Sequence, residues 1–300
     1  MKTPEFLLMI SVPTIILASL IEAFLLSRRE KVDWGELGLS LLNFIVRNVA
    51  LIALPLSVAT PIFALAWRFR LTTIAVDNWQ AVALLFLGQE FFYYWFHRAS
   101  HRIRWFWINH AVHHSPNHLN LSASYRSFIF GHVFGDAIFF VPLVWIGFPP
   151  RAVLLTLTFN LLYQTWIHVT WIPKLGPVEW IFNTPSAHRV HHAVNVEYLD
   201  ANYGGVLTIF DRLFGTYIEE REDLPCRYGL VHPQTSHNPL RVEFDQWRGL
   251  IIDLFRARRI AHIFGFLAKP PGWRPDGPGE TTEELRRRAR TGAPLSHAAE

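Results

Sequence analysis

FFYYWFHRASHRIRWFWINHAVHH, from Phe91 to His114, decides how this 300-residue chain is read. It leaves an apolar run and at once sets five histidines, His97, His101, His110, His113 and His114, within eighteen residues. Residues three and four apart share a helix face, so His97 pairs with His101 and the other three form a compact triplet. The same triplet recurs as His188, His191 and His192. His168 stands alone between them, near the end of another apolar run.

Working outward, the apolar residues are bunched. Glu5 to Ser27 holds one internal charge, Glu22, and Leu37 to Trp67 holds Arg47. Trp79 to Phe96, Phe128 to Gly147 and Ala152 to Ile172 complete the set, each near the roughly 20 residues that span a bilayer. The expected class is an all-α, polytopic membrane protein of about four to five transmembrane helices carrying a helical, histidine-rich, di-metal cap. The first run has little basic residue before it and no small-residue cleavage site before Arg28 and Arg29, so it reads as a retained span rather than a leader. Cys226 is the sole cysteine, which excludes an internal disulfide.

Arg28, Arg29, Lys31, Arg98, Arg102 and Arg104 belong in the cytoplasm by the positive-inside tendency, whereas Arg68 and Arg70 oppose it. Ala152 to His168 covers roughly 24 Å of helix, which returns His168 to the face where His97 emerges. The division expected is residues 1–77 as amino-terminal membrane helices, 78–266 as the catalytic unit and 267–300 as a disordered Pro-, Gly-, Arg- and Glu-rich tail. Gln246 to Phe266 reads as a basic helix on an anionic membrane surface. The net charge of +4 is thereby assigned to the membrane, not to nucleic acid.

Histidine is the commonest metal ligand. His97, His101, His110, His113, His114, His168, His188, His191 and His192 are too many for one ion of about four ligands, but would fill two. His118, His132, His232, His237, His262 and His297 read as interfacial or structural residues. Glu90, two helical turns before His97, is expected to accept a hydrogen bond from a ligating imidazole. Asn195 and Asp200, with Asn202 and Asp211, are candidates to orient ligands or to build turns. His132 and Asp136, four apart inside an apolar run, would line the substrate entrance or pair with each other. The aromatic run Phe91 to Trp95 reads as an interfacial belt.

HRASH, HAVHH, a histidine at the end of a span and HRVHH, in that order, resemble the fatty acid hydroxylase and sterol desaturase superfamily. QEFFYYWFHRASH, HHSPNHLNLSASYR and NTPSAHRVHHAVNVEYLDANYGGVLTIFDRLFGTY are most similar to its alkylglycerol monooxygenase branch and bacterial relatives, over Val82 to Tyr217. The resemblance implies a cytosol-facing pair of iron ions held by the nine histidines, dioxygen as oxidant and a lipid alkyl chain as substrate. Electrons would come from a separate reductase or a reduced pterin such as tetrahydrobiopterin. Gln164 stands where some hydroxylases of the superfamily carry a further histidine. Alternatives left open by the residues are a desaturase on the same centre, a zinc-dependent membrane hydrolase and a metal transporter.

Overall fold

A computed structural model describes residues 3–29, 31–54 and 57–292, with side chains from residue 10 onward; Lys2, Pro55 and His297 lie outside the described residues. The fold is all-helical. Among the described residues there is no β-strand, only the isolated bridges Phe182 to Leu207 and Ala193 to Tyr228.

Four long helices supply the frame: α1 (Thr3–Leu26), α2 (Trp34–Ala53), α4 (Trp79–Arg102) and α7 (Pro150–Trp166), with α3 (Ala59–Arg68) following α2. Capping starts them where the sequence allows it. The Asp33 carboxylate accepts from the Glu36 N–H at 3.0 Å and opens α2, and the Asn78 amide oxygen accepts from Ala81 at 2.9 Å and opens α4. Phe63, Leu85, Tyr93, Phe140, Leu143, Val144, Phe148 and Val153 form the core between α3, α4, α6 (Val141–Ile146) and α7. Gly88 lets α4 approach α6, because a Cβ there would meet the Leu143 methyl at 2.7 Å.

One described helix, Trp34–Ala53, is long and apolar enough to cross a membrane. Two expected spans are not single helices. Leu37 to Trp67 divides into α2 and α3, and Phe128 to Gly147 becomes short 3₁₀ turns, Gly131–Val133 and Asp136–Phe140, followed by α6. Gly135 at φ +89° and Gly147 at φ +135° break that second stretch, as helix-incompatible backbone must. Phe91 to His114 also breaks: α4 stops at Arg102, Ile103 is extended (φ −126°, ψ 116°), and α5 (Arg104–His114) leaves at a new angle. Nor is Phe91 to Trp95 simply a belt. Tyr93 and Tyr94 are buried, and the Tyr93 hydroxyl donates to Gln164 Oε1 at 3.0 Å.

The second half carries α8 (Pro185–His192), α9 (Ile209–Leu213), α10 (Pro239–Phe255), α11 (Ile260–Ala268) and α12 (Thr282–Thr291). A disordered tail from residue 267 is therefore incorrect as far as residue 292. Thr281 caps α12, Thr282 and Leu285 are buried, and the Arg286 guanidinium donates to the Leu199 carbonyl at 2.6 Å. Polar composition hid these contacts because they are ionic and main-chain rather than apolar.

Candidate metal centre

Nine histidines from four separate segments converge. His97 and His101 close α4, His110, His113 and His114 close α5, His168 follows α7, and His188, His191 and His192 close α8. Their ring nitrogens gather into a group of five (His97, His101, His110, His114 and His191) and a group of four (His113, His168, His188 and His192), each with its nitrogens within 4.8 Å of one another. Helix geometry explains the split. At about 100° per residue, positions i and i+4 lie close in angle while i+3 falls on the other side. Thus His110 and His114 go to one group and His113 to the other, whereas His188 and His192 go to that other group and His191 crosses back. The triplets exchange their middle members.

The outward-facing nitrogens fix the tautomers. His97 Nδ1 donates to the Tyr203 carbonyl at 2.9 Å, His113 Nδ1 to Arg126 at 3.1 Å, His168 Nδ1 to Gln164 at 2.7 Å and His191 Nδ1 to Ala201 at 2.9 Å. A neutral ring that donates through Nδ1 has only a lone pair at Nε2. Yet His113 Nε2 and His168 Nε2, both lone pairs, face each other at 3.3 Å. No hydrogen bond can relieve that contact, whereas a shared cation can.

Spacing fits the same occupant. His97 to His110, His110 to His114, His168 to His188 and His188 to His192 have Nε2 separations of 3.0, 3.2, 3.0 and 3.1 Å. Two nitrogens ~2.1 Å from one ion and at right angles would be ~3.0 Å apart. His101 Nε2 and His191 Nε2 are buried with no hydrogen-bond partner, which suits atoms whose lone pairs serve an ion. Burial first, and the neighbouring imidazoles second, hold His110, His114, His188 and His192 well below the ordinary histidine value. Burial brings His113 down to about 4. Neutral imidazole is the ligating form. A donor set of imidazoles without thiolates suits iron, zinc, copper or nickel.

The supporting residues differ from expectation. Glu90 spends its carboxylate on the backbone and an amide rather than on a ring: Oε2 accepts Val206 N–H at 2.8 Å and Leu207 N–H at 2.9 Å, and Oε1 accepts the Asn160 amide at 2.5 Å. The turn it holds follows Tyr203, whose carbonyl accepts from His97. Asn195 stitches a turn, donating to Pro225 and accepting from Arg227, so it orients no ligand directly. Asp200 comes closest to the expected role, with Oδ1 3.5 Å from His101 Nδ1 and Oδ2 2.6 Å from the Arg102 guanidinium. Burial alone would raise its carboxyl, but His101 and Arg102 hold it below the ordinary value.

His132 and Asp136 stand apart from both groups. The His132 ring reaches the Leu54 carbonyl at 3.3 Å instead of pairing with Asp136. Gln164, in the place of a possible tenth ligand, is tied to Asn160 at 2.6 Å and to Tyr93. The backbone acceptors were not legible, although NYGG marks one of them. Asp200 and Asn202 are left-handed (φ 55° and 56°), and a Cβ on Gly204 would lie 2.1 Å from the Leu207 carbonyl. Asp211, pushed up to about 6 by burial, accepts the Tyr203 and Gly204 N–H groups, each at 2.7 Å. A cavity of about 170 Å³ opens onto His101, His114, His191 and His192 between Leu230 and Leu285.

Residues 82–216 match the fatty acid hydroxylase family. The chain is 39% identical over 211 residues to alkylglycerol monooxygenase of Homo sapiens, covering 70% of this chain and 46% of that protein. It is 40% identical over 212 residues to the Xenopus tropicalis protein of the same name, with the same coverages, 70% and 46%. An ornithine lipid hydroxylase of Rhizobium tropici is 31% identical over 144 residues, 47% of this chain and 44% of that one. The chain thus spans about half the length of the curated relatives it matches. No solved structure is similar to it. The segment that matches the fatty acid hydroxylase family, residues 82–216, is the one that holds all nine converging histidines.

Proposed function

We propose that this chain is a membrane di-iron oxygenase that uses dioxygen to hydroxylate an alkyl chain of a lipid. The observation that carries the reading is the facing pair of unprotonated Nε2 atoms, His113 and His168, inside one of two all-imidazole groups. The family and the lipid hydroxylases among the relatives support the substrate class. A fatty acyl, ether-lipid, sphingoid or sterol-like chain fits this reading.

His97, His101, His110, His114 and His191 would hold one iron, and His113, His168, His188 and His192 the other. Bound iron supplies the redox chemistry that attack on an unactivated C–H bond requires and that zinc lacks. Overall, one dioxygen, two electrons and two protons convert the C–H bond to an alcohol and water. The protein's part is to keep the imidazoles neutral by burial, to fix their tautomers through backbone carbonyls, and to exclude bulk water with Tyr94, Tyr203, Ala187 and Val190. Asp200 holds the outer nitrogen of His101. Electrons come from a separate reductase or a reduced pterin, delivered on the side of the cavity beside His101 and His191.

In this reading residues 78–266 form the catalytic unit, residues 1–77 supply the amino-terminal membrane helices, and the chain as a whole makes four to five crossings with the histidines facing the cytoplasm. The elbow between α10 and α11 lies on the membrane surface. It exposes Phe255 (88%), Ile260 (73%) and Phe264 (66%) beside Arg256, Arg258 and Arg259, a pattern suited to an anionic interface.

Metal content per chain tests the proposal, by elemental analysis of detergent-purified protein from iron-supplied cells. Roughly two irons, with lipids gaining the mass of one oxygen on incubation with dioxygen and reductant, is the expected result. One zinc and no iron would overturn it in favour of a hydrolase, and lipids losing two hydrogens would indicate a desaturase.

A further inference from the structure

The C-terminal helix lies outside the family segment, yet its polar residues reach the loop beneath one histidine group. Arg286 donates to the carbonyls of Val196 at 3.2 Å and Leu199 at 2.6 Å. Glu283 accepts from Arg102, whose other nitrogen meets Asp200 at 2.6 Å. The Thr282 hydroxyl also hydrogen-bonds Asp200. Directly after these anchored residues come Asp200 beside His101, the Ala201 carbonyl on His191 and the Tyr203 carbonyl on His97.

All three of those imidazoles belong to the group of five. In the group of four, His113 and His168 donate their outer hydrogen bonds elsewhere, to the Arg126 and Gln164 carbonyls. Asp200 and Asn202 both adopt positive φ, so the loop between them is held in a conformation that non-glycine residues do not favour unaided. Asn202 is tied to Ala187 and Ile218 by its side chain, whereas the 196–200 side of the loop takes its contacts from α12 and Arg102.

We infer that Glu283 and Arg286 are positioning residues: they hold the 196–203 loop and so set the metal affinity of the five-histidine group, leaving the four-histidine group unaffected. This rests on the di-metal reading above. The family segment would then carry all the ligands without the means to hold both groups equally.

The test uses the full chain in detergent, with Glu283→Gln and Arg286→Gln singly and together. Iron release to a ferrous chelator is followed in time beside thermal unfolding. The double variant is expected to unfold near the wild-type temperature but to release metal in two phases, one of them about 10-fold faster than wild type, the other unchanged. Glu283→Asp should restore the slow phase. If the double variant fails to fold, Arg286→Lys, which keeps the charge but loses the guanidinium fork, carries the same expectation. Wild-type release rates in both phases, or equal acceleration of both, overturns the brace alone. A wild-type chain that takes up neither iron nor added cobalt(II) overturns the di-metal reading and the brace with it.

Discussion

His191 and His192 are neighbours in one short helix, yet they join different groups and lean on different parts of the chain. His191 belongs to the five, of which His97, His101 and His191 rest on the Asp200–Tyr203 turn under α12. His192 belongs to the four, of which His113 and His168 donate outward to the Arg126 carbonyl and to the Gln164 carbonyl near the end of α7. Arg126 is itself locked: Nε donates to Ser40 at 3.0 Å, and its two terminal nitrogens to Ser115 at 3.1 Å and to the Glu36 carbonyl at 2.9 Å. One group is thus mounted on a turn that must be held, the other on a buried polar frame. Equal ligand types do not make equal sites; what the outer nitrogens touch sets rigidity and affinity.

The comparison breaks most decisively at the ligands. His191→Ala and His192→Ala should each abolish turnover to background while the protein still inserts, and each should retain roughly one of the two ions. The retained ion should differ: only the one left in His192→Ala should respond to Glu283→Gln. Metal analysis with turnover assays checks this, and near-normal turnover in either variant would remove that histidine from the ligand set.

Next in size is the buried frame. Arg126 is 1% exposed, so Arg126→Met strips donors from Ser40, Ser115 and the Glu36 carbonyl together and leaves the Glu36 carboxylate without its nearby cation. Removing one partner from such a site costs about 3–5 kcal/mol. Thermal unfolding in detergent should show that loss, and the ion of the four-histidine group should be the first released. A variant as stable as wild type would mean that the frame does not carry the load assigned to it.

Much of the centre was legible because imidazole spacing is local. The i, i+4 pairs at His97, His110 and His188 follow from helix geometry alone, and so does the angular separation of His113 from His114. What holds them was not legible. Four outer nitrogens end on main-chain carbonyls, which every residue possesses, so no side-chain pattern announces them. Glu90 lies on the proper face of α4, but the turn at 203–207 comes between it and His97 and takes its carboxylate. Hydropathy located the long apolar helices and missed the breaks at Ile103 and Gly135, where backbone geometry overrides composition. The order of residues 280–292 escaped for a related reason: its anchors are arginines and glutamates, which composition assigns to solvent.

The finest difference between the two mountings is their response to pH. Glu243, on α10, accepts from Asn43 and from the Ile129 N–H at 3.2 Å, close to the stretch that carries Arg126. Burial pushes its carboxyl from 4.5 up to about 7, against the hydrogen bonds and the nearby arginines. A raised folded value means that the folded chain keeps a proton which the unfolded chain has lost. Its stabilising contribution is therefore complete below the unfolded value and disappears as pH rises through the folded one. Between pH 6 and pH 8 wild type should lose about 1 kcal/mol that Glu243→Gln does not lose. Asp200, beneath the other group, is held below the ordinary carboxylate value and stays ionised over the same interval. Unfolding of the two proteins at the two pH values should differ only on the alkaline side. If both lose stability equally there, Glu243 is ionised throughout, and the frame around Arg126 is as indifferent to pH as the turn that α12 holds.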